Sequence, residues 1–153
     1  MNQVSTLYNY IKTLAEADEY INTVTKVGTI DVLEDKGTIL PLLDVFITGA
    51  SYPSPQVKRF SIELTCLNQR DQTNETTTDK FWQMDNEVDN LNETEAALNR
   101  IWLNMFRDFE ENNITASESP TLLPILEGKT TIVDGWILSF EVDVPNTDIS
   151  LCI

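Results

Sequence analysis

The side chains that most often carry out catalysis are scarce in this chain. It contains no histidine, which removes the most common general base and the most common zinc ligand. Its five glycines are scattered, so no glycine-rich loop is available to hold a phosphate. Cys66 has no predicted basic neighbour or helix terminus that would lower the pKa of its thiol. The composition therefore predicts a protein that is not an enzyme.

One group of acidic residues has a spacing that resembles a calcium-binding loop. Asp85, Glu87 and Asp89 alternate as the first ligands of such a loop do. The glycine required at the sixth position is Asn90, however, and the glutamate required at the twelfth is Ala96. We therefore predict a solvated acidic helix face there, with no metal site and no cofactor.

A second acidic group invites comparison with the paired carboxylates of glycosidases. Asp108, Glu110 and Glu111 are close in sequence, but neighbouring positions on one helix point in different directions. With Glu141 and Asp143 on a later strand, they are predicted to form an acidic surface and not a catalytic pair.

The composition is unusual in its large excess of acidic over basic residues, 25 against 10. The chain has 153 residues and a formal net charge of −15, and its only adjacent basic pair is Lys58-Arg59. Binding to nucleic acid by counterion release needs clustered cations, so we expect no such activity. We also expect no signal peptide and no membrane span, because no apolar run is long enough. For Cys66 and Cys152, two buried thiols in a reducing cytosol are favoured over one disulfide.

The clearest element is a strand near the carboxyl end. Asp134-Gly135 is typical of a two-residue type I′ hairpin turn. After it, large apolar residues alternate with residues 137, 139, 141 and 143, which become increasingly acidic. This period of two predicts a strand with one dry face and one charged face.

The remaining elements follow from apolar periodicity and from turn residues. Helices are predicted over residues 4–24, ending before Gly28, and over 79–112, where Asn92 to Glu95 resembles a capping box at which the helix could break. Strands are predicted over residues 29–33, 39–47, 60–66 and 122–126. A rigid loop is predicted over 49–55 and a flexible polar loop over 68–78.

Together these elements predict a single α+β domain over residues 1–153. Its largely antiparallel sheet carries an amino-terminal helix and a long central helix packed on one face. The order of elements resembles that of tail terminator and head–tail joining proteins of tailed bacteriophages. The resemblance is carried by the Tyr52-Pro53 connection, the polar loop, the helix through residues 101–106 and the strand over 134–145.

That resemblance implies a structural virion protein of the tail or neck, assembled in the host cytoplasm. Members of the family form rings, usually hexamers, which cap the tail tube and join it to neck or connector proteins. DNA passes through the bore without specific binding. The residues expected to contact neighbouring subunits or partners are Tyr52, Pro53, Arg70, Phe81 and Trp82. Of these, Phe81-Trp82 is an aromatic pair beside the polar loop, a pattern typical of protein contacts.

Two other functions are compatible with the sequence. An acidic DNA mimic that inhibits a DNA-binding enzyme, or another small protein-binding module, would have a similar charge. It would also need carboxylates at regular spacing on an exposed surface, whereas here the acid alternates with an apolar sheet face. A small carboxylate enzyme is a third reading, and the sequence offers no partner residues for it.

Overall fold

The structure of the protein is a computed structural model. It describes residues 3–26, 40–69, 87–111, 115–117, 119–127 and 133–146. Two helices and six strands lie in these ranges. In chain order they are α1 (Gln3–Glu16), β1 (Thr23–Thr25), β2 (Leu42–Ser54), β3 (Val57–Gln69), α2 (Glu87–Glu111), β4 (Thr115–Ala116), β5 (Thr121–Glu127) and β6 (Val133–Pro145).

The strands form one mixed sheet in the order β1-β2-β3-β6-β4, and β5 also pairs with β6. β1 is parallel to β2, and every other pairing is antiparallel. Because β1 covers only residues 42–44 of β2, residues 46–54 form one margin of the sheet, which we call the β2 margin. β4 and β5 lie along β6 and form the opposite margin, which we call the β5 margin.

Both helices pack on one face of this sheet. Phe60, Ile62, Leu64 and Cys66 are buried at alternate positions of β3 and belong to the same core as the buried residues of the helices. The helices contribute Leu7, Ile11 and Ala15 from α1, and Ala97, Leu98, Ile101 and Met105 from α2. Their spacing of three and four residues places each set on one side of its helix. The predicted α+β fold, with two helices on one face of a largely antiparallel sheet, is confirmed.

The opposite face of the sheet has a polar half, which we call the polar face. In the register of the sheet it comprises Arg59, Ser61 and Glu63 of β3, and Ser139, Glu141 and Asp143 of β6. The predicted alternation of β6, with Trp136 and Phe140 towards the helices and Glu141 and Asp143 away from them, agrees with this register.

The prediction of a hairpin turn at Asp134-Gly135 is wrong. Both residues lie inside β6, where Gly135 pairs with Leu67 on one side and Ile125 on the other. A hairpin does join β5 to β6, but its first pair is Glu127 with Val133, and the connection lies outside the described residues.

Three other boundaries differ from the prediction. α1 ends at Glu16, where the amide of Asp18 donates to the carbonyl of Ala15 at 3.1 Å and tightens the last turn. β2 begins directly after Pro41 and continues through the predicted 49–55 loop as far as Ser54. β3 extends through Gln69, two residues into the predicted 68–78 loop. The rest of that loop and the predicted strand at 29–33 lie outside the described residues.

The predicted capping box at residues 92–95 is also wrong. These residues lie inside α2, which is continuous from Glu87 to Glu111. The hydroxyl of Thr94 donates to the carbonyl of Asn90, four residues earlier, at 2.6 Å. Such a bond is typical of a threonine in a helix interior, and Asn92, the first residue of the predicted box, lies five residues after the start of the helix.

Candidate subunit interface

The turn between β2 and β3 forms one end of the molecule, and we call residues 51–58 the hairpin end. Ser54 and Val57 close the turn. Asn146, directly after β6, donates from its amide to the carbonyl of Gln56 at 2.9 Å and from its side chain to that of Pro55 at 3.2 Å. The turn is therefore held by a third strand as well as by its own two.

Tyr52 and Pro53 lie exposed on this end, and Tyr52 has 63% of its surface accessible. The ammonium of Lys58 lies 5.8 Å from the centre of the Tyr52 ring and 5.0 Å from that of Phe60. Both distances are within the range of a cation–π contact. No described carboxylate lies within ion-pairing distance of Lys58. The other predicted contact residues, Arg70, Phe81 and Trp82, lie outside the described residues.

The acidic residues singled out from sequence occupy two different environments. On the polar face, Asp143 accepts two hydrogen bonds from Arg59, at 2.7 Å to Nε and 3.0 Å to Nη2, and Glu141 lies 3.6 Å from the same guanidinium. These hydrogen bonds from Arg59 to Asp143 raise the pKa of the guanidinium above its usual value. A cation on this face is thus neutralised by its own neighbours.

On α2, Asp108 is half-buried and accepts a hydrogen bond from the hydroxyl of Tyr10 at 2.7 Å. Burial, and secondarily this bond, raises the pKa of Tyr10. Asp108 therefore connects α2 to α1, although the sequence predicted only a charged helix end. Glu110 and Glu111 lie in the last turn of α2, and their side chains are outside the described part.

Both margins of the sheet have features that hinder pairing with another strand. On the β2 margin the amide of Ile47 already donates to the hydroxyl of Tyr8, at 3.1 Å, and Pro53 has no amide hydrogen to offer. On the β5 margin Pro124 lies mid-strand. Proline and side-chain covers are usual protections of sheet edges. Addition of a further strand is therefore hindered along both margins.

The β5 margin also exposes large apolar side chains. Leu123 has 61% of its surface accessible, and its neighbour Leu122 is exposed as well. Leu123 pairs with Ile137 of β6, on the side of the sheet away from the helices. The sequence predicted the strand but gave this surface no role.

A groove of about 670 Å³ lies between the end of α1 and the middle of α2. The apolar residues that line it include Leu14, Ala17 and Ile101, and the acidic ones are Asp18, Glu19 and Glu93. Arg100 also lines it, and its Nε and Nη2 donate to Asp18, at 2.8 and 3.0 Å. The pKa of Asp18 is lowered, chiefly by these bonds from Arg100. Sequence reasoning missed the groove, because its two walls are distant in the chain.

Two common kinds of catalytic site depend on metal ligands and on a reactive cysteine thiol. No cluster of histidine, cysteine or acidic residues in it could hold a metal ion. Cys66 is a free thiol, and burial raises its pKa to about 12, so it stays protonated at neutral pH. A smaller cavity on the polar face, about 360 Å³, is lined mainly by hydroxyl groups and by Glu63 and Glu141.

A comparison of the sequence with protein-family models finds no match, and a comparison with curated proteins finds none either. Neither helix of the described chain has the length and apolar character needed to cross a membrane.

Proposed function

We propose that this protein is a structural subunit of a tailed-bacteriophage particle. It forms a ring at the head–tail interface or at the tail end, caps the tail tube, joins it to the neck and leaves a bore for DNA. The observation that carries the proposal is the exposure of Tyr52 and Leu123, the two most exposed large hydrophobic side chains of the described residues, on opposite margins of one sheet.

Two separate apolar surfaces are what a joining protein needs. Contact surfaces of soluble proteins often expose large apolar side chains bordered by polar residues. A ring subunit that also connects two structures must contact its own copies and at least one different neighbour. The hairpin end is suited to the first contact, and the β5 margin, with Leu122 and Leu123, to the second.

A ring requires contacts between two unlike surfaces of neighbouring subunits. Such heterologous contacts generate closed rings when the rotation between successive subunits completes a circle. A hexamer is the ring number that the family resemblance implies.

Charge and the polar face support passage of DNA without adhesion. At a net charge of −15 the subunit repels phosphate as a whole. Among the described residues of the polar face, the only cation is Arg59, and Asp143 and Glu141 already neutralise it. Each phosphate contact adds affinity, so a face of hydroxyls and carboxylates is suitable for a bore.

The proposal is tested by the assembly state of the purified chain. Light scattering coupled to size-exclusion chromatography should give one mass that is a fixed multiple of 17.4 kDa. Negative-stain images should show rings with a central hole. A monomer that inhibits a DNA-binding enzyme, such as a restriction endonuclease, would instead identify an acidic DNA mimic and overturn the proposal.

A further inference from the structure

The hairpin end and the α1–α2 groove lie at opposite ends of the subunit. β3 begins at Val57, beside the hairpin turn, and reaches Asn68, whose amide donates to the hydroxyl of Tyr20 in the groove wall at 3.0 Å. At the rise of an extended strand this run spans roughly 36 Å. A chain therefore cannot place its own hairpin end in its own groove, but two copies arranged head to tail can meet there.

The groove has the size and character of a receiving site. Its volume of about 670 Å³ exceeds what one aromatic side chain fills, and Leu14, Ala17 and Ile101 give it apolar walls. Glu19 and Glu93 stand exposed on its two sides, one from each wall. Because Asp18 engages Arg100, the uncompensated charge of the groove is negative.

The hairpin end has the matching properties. Tyr52 combines a large apolar ring with a polar hydroxyl, the combination most enriched in the centres of protein interfaces. Lys58 lies beside it without a carboxylate partner among the described residues. In a chain with 10 basic and 25 acidic residues, a lysine that no described carboxylate pairs, next to the most exposed aromatic ring of the described residues, is suited to attract a surface of opposite charge.

We propose that the hairpin end of one copy occupies the α1–α2 groove of the next, with Tyr52 against the apolar walls and Lys58 between Glu19 and Glu93. This inference rests on the proposed ring and names the contact that closes it. Since the amide of Ile47 and the two margin prolines oppose strand pairing, the contact is made by side chains and not by an extended sheet.

Substitutions on the hairpin end give the first test. Tyr52→Ser should weaken association between subunits at least about 30-fold, as loss of a central aromatic anchor does. Lys58→Glu should also weaken it. Lys12→Glu makes the same change in net charge on α1, where Lys12 pairs with Glu16 at 3.7 Å, and should weaken association much less than Lys58→Glu, through the added general repulsion alone. Leu123→Ser removes an equally exposed apolar side chain from the other margin and should also leave the ring intact.

A charge exchange locates the receiving surface. Lys58→Glu combined with Glu93→Lys, or with Glu19→Lys, should recover about tenfold in association for at least one of the two pairs relative to Lys58→Glu alone. If neither pair recovers any association, the groove is not the site. Circular dichroism of each variant shows that the subunit itself is folded.

A cross-link makes the test independent of affinity. Pro53→Cys together with Ala96→Cys, in a chain that also carries Cys152→Ser and retains Tyr52, should give a ladder of covalent oligomers that ends at the ring number on a non-reducing gel, since the remaining Cys66 is buried. Each single variant should give no species larger than a dimer. A wild-type ring with no ladder from the double variant would overturn the docking and leave the ring standing, whereas a monomeric wild-type protein would remove both.

Discussion

A glycine after aspartate usually allows the positive φ of a tight turn, but Gly135 is required for a different reason. Its backbone is not in the left-handed region, and it lies inside β6 opposite Leu67. A Cβ built on it would collide with the carbonyl oxygen of Cys66 and lie 2.9 Å from a methyl carbon of Leu67. The glycine thus allows two neighbouring strands to approach more closely than any side chain would permit.

Replacement of Gly135 by alanine should therefore destabilise the subunit, by about 3 kcal/mol, because the collision involves backbone that cannot move alone. Urea unfolding followed by tryptophan fluorescence measures the change. Gly49→Ala is the matched control, since its Cβ would meet nothing within 4 Å, and should stay within about 0.5 kcal/mol of the wild type. Equal stabilities for the two variants would refute the close-approach explanation.

At the scale of elements, α1 is fixed to α2 by two polar contacts as well as by the core. Tyr10 donates to Asp108, and Asp18 accepts from Arg100. The contacts run in opposite directions along the two helices, so the helices are antiparallel. Asp18 lies just beyond the end of α1 and also accepts from the amide of Tyr20 at 3.0 Å, which fixes the chain that leads to β1.

The contact of Asp18 with Arg100 should make stability depend on pH in one direction. The pKa of Asp18 is lower in the folded chain than its ordinary 3.8, so its stabilising effect is complete above that value and is lost as pH falls through the folded pKa. Asp18→Asn should cost about 1 kcal/mol at pH 7 and progressively less at lower pH. Urea midpoints between pH 7 and pH 3 measure the difference.

The matched control for that variant is Lys12→Gln, which breaks an exposed pair within α1 and should change stability by less than about 0.5 kcal/mol. A difference between Asp18→Asn and wild type that stayed constant down to pH 3 would show that the carboxylate contributes through its shape and not through its charge.

The elements that could be predicted from the sequence were those in which the spacing of apolar residues indicates the buried side. Apolar residues alternate in β3 and β6, and on α2 they form a stripe of Leu98, Ile101 and Met105. Each pattern indicates by itself which side of the element faces the core. The predictions at Asp134-Gly135 and at residues 92–95 could not be judged locally. Gly135 lies inside β6 beside the backbone of Cys66, which is distant in the chain, and the helix that contains residues 92–95 already begins at Glu87.

The candidate interface was predictable only in part for the same reason. Tyr52 and Pro53 lie in β2 directly before the turn that Ser54 and Val57 close, and the proline-rich sequence there indicates an exposed end of a hairpin. The groove forms because the segments that carry Glu19 and Glu93 pack near each other. The ion pair of Arg59 forms because Asp143 lies opposite it on the neighbouring strand. Both arrangements come from packing and register between distant segments, and no spacing within one segment encodes them.

At the scale of the whole molecule, charge works against association. Two copies at −15 each repel over a distance that salt controls, about 30 Å at 0.01 M and 10 Å at 0.1 M ionic strength. The hairpin contact proposed above includes a single lysine, so the general repulsion outweighs its specific attraction at low salt.

Assembly should therefore strengthen as ionic strength rises from about 0.01 M to about 0.3 M, because screening removes the repulsion and leaves the apolar contact. Sedimentation velocity across this range measures the assembled fraction. Lys58→Glu should steepen the dependence, since it adds to the repulsion. A fraction that falls steadily with added salt would mean that ion pairs, and not Tyr52, hold the ring together.

The position of β6 within the sheet has a consequence for how the protein is made. β6 pairs with β3, β4 and β5, and the residue that follows it, Asn146, holds the hairpin turn. Before β6 has been synthesised, β3 can pair only with β2, on one of its two sides. A nascent polypeptide consequently lacks the bonds that hold the hairpin end until residue 146 has emerged.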